Sequence, residues 1–229
     1  MLRPPSLKSV IDRLRRLYGH LPPPGTSDPF EVILRENAAY LVDDERREAV
    51  FSALAKEIGL TPEAILDAPF ERIVAVIRPG GMRPEDRASK LLDCASIAAE
   101  VGGAAALLAL ARDGSPTARK ILRRFPGIGE PGADWLVLLA GGPRSLAPDS
   151  NALRVLVRLG FAKEEKDYGR TYRAASASVA AELPRDSKGV IEARQLLRRH
   201  GQELCRRSDP RCDLCPLERG CAFKAGRAR

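Results

Sequence analysis

Four of the five cysteines in this 229-residue chain fall within 17 residues, in the order Cys205-x6-Cys212-x2-Cys215-x5-Cys221. No other feature restricts the fold so tightly. Four thiols this close along a chain converge readily on one centre, and both a zinc ion and a cubane iron–sulfur cluster take four thiolates. Zinc ribbons pair two C-x2-C knuckles, and only one is present here. Spacing by itself leaves zinc and iron–sulfur open. Disulfides are disfavoured, because Met1 to Pro5 lead into a charged segment rather than an apolar leader, which predicts a cytoplasmic protein. The fifth cysteine, Cys94, sits among Leu91, Leu92 and Ile97 and reads as a buried, inert thiol.

The cysteine-bearing tail is also basic. From Arg198 to Arg229 there are nine Lys/Arg and four Asp/Glu, a local excess of +5 out of +8 for the whole chain. A metal site beside a polyanion is the simplest reading. Aromatic residues make up only 5%, which argues against a single-strand binder that stacks bases. The longest uncharged apolar run starts at Val101 and ends before Arg112, short of the roughly 20 residues a bilayer needs, so no membrane span is expected. The 19 glycines and 18 prolines lie mostly between segments of helical periodicity. Leu7, Val10, Ile11, Leu14, Leu17 and Tyr18 mark the first segment. Others are expected after Pro29, over 45–58, 62–68, 70–77, 85–101, 103–111 and 116–125, and near 135–140. No strand pattern is evident.

The text around the cysteines, HGQELCRRSDPRCDLCPLERGC, resembles the [4Fe-4S] loop of the endonuclease III and adenine-glycosylase branch of DNA glycosylases. That resemblance implies a [4Fe-4S] cluster on Cys205, Cys212, Cys215 and Cys221. It also implies a loop that presents Arg206, Arg207 and Arg211 to phosphate. A second stretch, Phe125-Pro126-Gly127-Ile128-Gly129, lies between a basic helix and an apolar one. Two glycines two apart can expose backbone N–H groups at a helix start and bind an anion there, although most such stretches are plain turns. Beside the cysteine loop, it resembles the helix-hairpin-helix of the same superfamily. Gly127, Ile128 and Gly129 would then contact DNA, and hairpin carbonyls would hold a monovalent cation.

The superfamily places its catalytic Asp shortly after the hairpin. Pro148-Asp149-Ser150-Asn151-Ala152-Leu153-Arg154-Val155 resembles the D-x-N-x-x-R-V form of the adenine and mismatch-thymine glycosylases, which makes Asp149 the candidate. The residue also reads as a helix N-cap, and the two roles are compatible, since a helix N-terminus favours a carboxylate. A second carboxylate, Glu36 in Pro29-Phe30-Glu31-Val32-Ile33-Leu34-Arg35-Glu36, is in register with the general acid of monofunctional members. A group with that job is expected to be partly buried and to hold its proton; a surface glutamate is the bland alternative. Downstream, Tyr40-Leu41-Val42-Asp43-Asp44 departs from the polar wedge residues of relatives. Leu41 either fills the hole left by a flipped base or packs in the core. Bifunctional relatives carry a Schiff-base lysine two residues after the last hairpin glycine. Here Gly129-Glu130-Pro131-Gly132 puts Pro131 there, so efficient strand cleavage is not expected.

The resemblance implies an all-α, two-lobed fold. A helical barrel lobe over 28–140 would carry the hairpin, and 1–27 with 141–229 would form a cluster lobe with the loop at 205–221. Duplex DNA would lie across a cleft, with Asp149 facing Glu36. The expected function is that of a monomeric, monofunctional DNA N-glycosylase of base excision repair, nucleoid-associated in a prokaryote. Adenine enzymes carry a further C-terminal domain, whereas this chain stops eight residues after Cys221. That tilts the substrate towards uracil or thymine opposite guanine and away from adenine opposite 8-oxoguanine. The alternatives are a non-catalytic DNA-binding module on the same scaffold, or an endonuclease III-like enzyme with weak lyase activity.

Overall fold

A computed structural model describes residues 4–227. Among them no strand forms, and the nearest thing to one is an isolated parallel bridge between Tyr40 and Gly81. Thirteen α-helices follow one another: α1 (Leu7–Tyr18), α2 (Pro29–Ala38), α3 (Asp44–Glu57), α4 (Pro62–Asp67), α5 (Phe70–Ile77), α6 (Pro84–Glu100), α7 (Gly103–Asp113), α8 (Pro116–Leu122), α9 (Glu130–Leu139), α10 (Ser150–Leu159), α11 (Tyr168–Val179), α12 (Ser187–Glu203) and α13 (Ala222–Arg227). Their starts are written in the sequence. Ser6, Asp28, Asp43, Thr61, Ser115, Asp149, Asp167 and Asp186 each accept a backbone N–H of the first turn, and prolines occupy the first turns of α2, α4, α6, α8 and α9. No single helix among the described residues is long and apolar enough to cross a membrane. Taken together α6 and α7 would suffice, but they meet at an 81° bend.

The chain divides into two compact units, residues 25–143 and residues 4–24 with 144–227. In the first, α6 is the hub. It packs against α2, α4, α5 and α7, and buries Leu91, Cys94, Ala95 and Ala98 completely. Cys94 is buried here as expected, and burial pushes its thiol up to about 12.

In the second unit, α12 lies on α10 and on α1. The α10–α12 approach is close because of Gly201. A Cβ at that position would sit 2.6 Å from the carbonyl oxygen of Asn151. Val155, Leu156 and Leu159 of α10 and Leu196 and Leu197 of α12 are buried. Truncating any of these leucines to alanine is expected to cost about 2–5 kcal/mol. The same unit carries the cysteine loop, which is irregular apart from 3-10 turns at Cys212–Leu214 and Glu218–Gly220.

Two helix bounds differ from the sequence reading by three residues or more. The first turn of α9 begins at Glu130, well ahead of Trp135, because Pro131 and Gly132 are accommodated inside it; Pro131 falls where no N–H is required. By contrast α8 stops at Leu122 rather than Phe125, tightened by the Arg124 N–H to Ile121 and Phe125 N–H to Leu122 bonds.

Candidate functional site

In the unit of residues 25–143, α8 and α9 form a helical hairpin around residues 123–129. Arg119 Nε donates to Asp134 Oδ1 at 2.7 Å and ties the two helices together. Gly127 turns the loop with φ +75°, and a Cβ there would come within 3.0 Å of Asn37 Oδ1. Asn37, buried on α2, donates from Nδ2 to Pro126 O at 2.8 Å and to Ile33 O at 3.0 Å. The hairpin is therefore pinned from beneath by a side-chain amide. Gly127 and Gly129 are exposed, but Ile128 is not: its side chain is buried and its N–H already donates to Phe125 O at 3.1 Å. Of the three expected DNA contacts, Ile128 is thus an anchor in the core. Two hairpin carbonyls, Phe125 and Pro126, each accept one bond and keep a second lone pair, so a cation would find them partly engaged.

The wedge segment differs from the packing reading. Leu41 does not enter the core: it is 75% exposed and adopts φ +56°, with Tyr40 exposed beside it. The Tyr40 N–H donates to Gly80 O at 2.8 Å, which brings Met82, itself 64% exposed, to the same edge. Both loops hang on one buried guanidinium. Arg87 donates from Nε to Met82 O, from Nη2 to Gly81 O, and from Nη1 to Ile77 O and Ala38 O. Water-exposed apolar side chains on a backbone fixed this firmly are expensive to keep unless something covers them. Met82 had no sequence signal to mark it. Glu36 lies on an exposed position of α2, without the partial burial expected of it.

In the other unit, Asp149 caps α10. Its Oδ1 accepts the N–H groups of Asn151 at 3.1 Å and Ala152 at 2.8 Å. Its Oδ2 pairs with Arg198 Nε at 3.0 Å, a partner from α12 that sequence reading did not single out. Burial, then the Asp149 charge, raises the phenol of Tyr168 above its ordinary value, which places that ring in the field of the carboxylate. Asp149 is consequently a carboxylate with fixed orientation in a partly open position.

Two residues on, Asn151 Oδ1 accepts from Arg154 Nη2 at 2.8 Å. Arg154 also donates to Gly201 O at 2.6 Å and to Cys205 O at 2.8 Å, so one guanidinium fastens the start of α10 to the entry of the cysteine loop. Arg158, one turn later, donates to Cys205 Sγ at 3.3 Å and to the carbonyls of Cys205, Arg206 and Arg207, and stacks over Phe223 at 4.3 Å. With these carbonyls turned inward onto Arg158, the side chains of Arg206, Arg207 and Arg211 are exposed.

All four loop cysteines are free thiols that line one small recess together with Arg158, Leu204 and Phe223. Among the described residues, however, no three donors are grouped as a single ion would require. Four thiols lining one recess can serve a zinc ion or a four-iron cluster, since both take four thiolates. Burial pushes Cys215 up to about 11 and raises Cys205 as well, with neighbouring cysteines adding to the effect. Such thiols give up their protons when a cationic centre compensates the charge. His200 abuts the recess. It is 1% exposed, and burial holds it down to about 4. Its Nε2 lies 3.4 Å from Cys215 Sγ and its Nδ1 3.1 Å from the hydroxyl of Tyr18.

No family model matches the chain. Individual relatives do. Endonuclease III of Thermotoga maritima is 25% identical over 203 residues, covering 89% of this chain and 87% of the relative. Thymine/uracil-DNA glycosylase of Pyrobaculum aerophilum is 28% identical over 170 residues, covering 74% and 70%. Among solved structures, a non-covalent endonuclease III–DNA complex superposes with a TM-score of 0.74 over 97% of both chains at 21% identity. In sequence and over nearly the whole of its fold, the chain is thus similar to the helix-hairpin-helix DNA glycosylases, on their endonuclease III branch.

Proposed function

We propose that this protein is a DNA N-glycosylase that releases a damaged or mispaired base from duplex DNA without efficiently cutting the strand. The observation that carries the reading is Asp149. Two helix N–H groups and one guanidinium hold its carboxylate in a single orientation. A preorganised anion of this kind stabilises the positive charge that develops on the sugar as the base departs, or orients the attacking water. Glu36, exposed in the free protein, would serve as proton donor to the leaving base once bound DNA covers it. Gly127 and Gly129, with Arg206, Arg207 and Arg211, contact the phosphate backbone, an interaction that weakens with salt. Leu41 and Met82 fill the space that the extruded nucleotide leaves.

Support for the monofunctional reading comes from α9. Its sequence, EPGADWLVLL, contains no lysine, and Pro131 has no nucleophilic atom to offer. The cysteines fit a [4Fe-4S] cluster, which would close the loop and present its arginines. A monovalent cation on the hairpin carbonyls belongs to the same proposal, as does action by a monomer. Between substrates, uracil or thymine opposite guanine is favoured over adenine opposite 8-oxoguanine, in keeping with the name of the Pyrobaculum relative.

The test is a panel of duplexes bearing uracil, thymine opposite guanine, adenine opposite 8-oxoguanine, and oxidised pyrimidines, each assayed with and without alkali. Breaks revealed only by alkali are expected, and Asp149→Asn should lower the single-turnover rate by about a hundredfold or more while leaving affinity intact. Binding without alkali-revealed breaks on any duplex would point to a non-catalytic DNA-binding module. Breaks without alkali, together with borohydride trapping, would make it a lyase.

A further inference from the structure

The function proposed above makes no use of His200, although it is one of the most completely buried polar side chains among the described residues. Its two nitrogens are both engaged, and by different partners. Nδ1 faces the hydroxyl of Tyr18, which comes from α1, and Nε2 faces Cys215 Sγ on the cysteine loop. Which nitrogen carries the hydrogen follows from chemistry. A cysteine that ligates a metal is a thiolate, which accepts hydrogen bonds and cannot donate. Nε2 must then carry the hydrogen, Nδ1 is left as an acceptor, and the Tyr18 hydroxyl must donate to it. Tyr18 is suited to that duty, since burial holds its phenol protonated. The backbone N–H of Leu217 adds a second donor to the same sulfur at 3.4 Å. Arg199 lies over the Tyr18 ring at 5.0 Å, so the outer end of the chain is also held in place.

We infer that Tyr18 and His200 are positioning residues for the metal centre: a directed relay, Tyr18 O–H to His200 Nδ1 and Nε2–H to Cys215 Sγ, draws charge from one cluster thiolate and thereby sets the centre's reduction potential and its retention. The inference rests on the reading that the four cysteines hold a [4Fe-4S] cluster. Hydrogen bonds to cluster sulfurs favour the reduced state, because they stabilise the added negative charge. Groups that orient a ligand also slow its loss from the metal. A histidine that merely filled space would need only its volume, and Tyr18 would be free to hydrogen-bond to water.

The experiment uses the purified holoprotein and compares His200→Leu, His200→Gln and Tyr18→Phe with wild type. The readouts are iron and zinc content, the midpoint potential by film voltammetry, and the rate at which EDTA bleaches the visible absorbance. His200→Leu is expected to shift the potential to more negative values and to bleach about tenfold faster. His200→Gln, whose amide N–H can occupy the place of Nε2–H, should restore both. Tyr18→Phe keeps the ring and should shift the potential in the same direction by less. Because Tyr18 sits at the outer end, this variant decides the matter even if His200→Leu fails to fold. Unchanged potential and bleaching rate in iron-loaded Tyr18→Phe would overturn the relay and leave the cluster reading standing. Stoichiometric zinc without visible absorbance in wild type would overturn both.

Discussion

The hairpin loop at 123–129 and the cysteine loop that follows α12 are both assigned to the DNA backbone, yet they are built differently. The hairpin is held from within. Ile128 and Phe125 are buried beneath it, and Asn37 grips a carbonyl from the neighbouring helix. Its shape is complete in the folded polypeptide. The cysteine loop has little apolar anchorage beyond Leu217, two 3-10 turns, and a set of carbonyls gathered by Arg154 and Arg158. Four half-buried thiols line its recess. A loop so arranged draws much of its stability from whatever those thiols bind. Of the two proposed DNA contacts, one is therefore intrinsic to the chain and the other conditional on a bound centre.

Removing the centre should break that comparison most sharply. Oxidative loss of iron with a chelator present should open residues 204–221, with tryptic cleavage after Arg206, Arg207 and Arg211 appearing first. Residues 25–143 should stay resistant, which limited proteolysis with mass spectrometry would show. Equal sensitivity of both regions would mean that the loop needs no cofactor.

A smaller effect tests the intrinsic side. Gly127→Ala forces a left-handed φ on a residue with a Cβ and pushes it against Asn37. The expected cost is about 1–2 kcal/mol, read as a lower urea midpoint, with weaker binding to duplexes of any sequence. The iron content should not change.

The smallest effect concerns the footing of the cluster-bearing unit. Glu192 on α12 accepts two bonds from Arg15 on α1, at 3.1 and 2.9 Å, and lies 2.8 Å from His20 Nδ1. The Arg15 hydrogen bond, reinforced by the charges of Arg15 and His20, holds the Glu192 carboxyl below its ordinary value of 4.5. Folding thus favours the carboxylate. Its contribution is full above the unfolded value and disappears as pH falls through the lower folded one. Glu192→Gln should cost about 1 kcal/mol at neutral pH, and the gap between the two melting temperatures should close in acid, below pH 4.5.

How much of this was legible beforehand varies with the kind of force involved. Capping residues announce themselves locally, and so the helix starts at Asp28, Thr61 and Asp149 could be read directly. The cysteine spacing is likewise local. The start of α9 was hidden because Pro131 and Gly132 look like a turn unless one knows that Ile128 packs under them. Leu41 was ambiguous, since an apolar residue carries no mark of whether its backbone turns it outward; here a φ of +56° does so. Arg198, Arg87 and His200 lie 49, 49 and 15 residues from the partners that give them meaning, namely Asp149, Ala38 and Cys215. No periodicity links such pairs, and only the folded chain brings them together.

The absence of a side chain at residue 201 has a genetic consequence. The helix that leads into the cysteine loop passes the backbone just after Asp149 at that residue, where even a methyl group would overlap Asn151 O. A saturation library across α12 should therefore tolerate many replacements on its outer face, yet return almost nothing but the parental codon at 201. Any allele that did survive there should be temperature-sensitive, losing base release and iron together rather than one without the other.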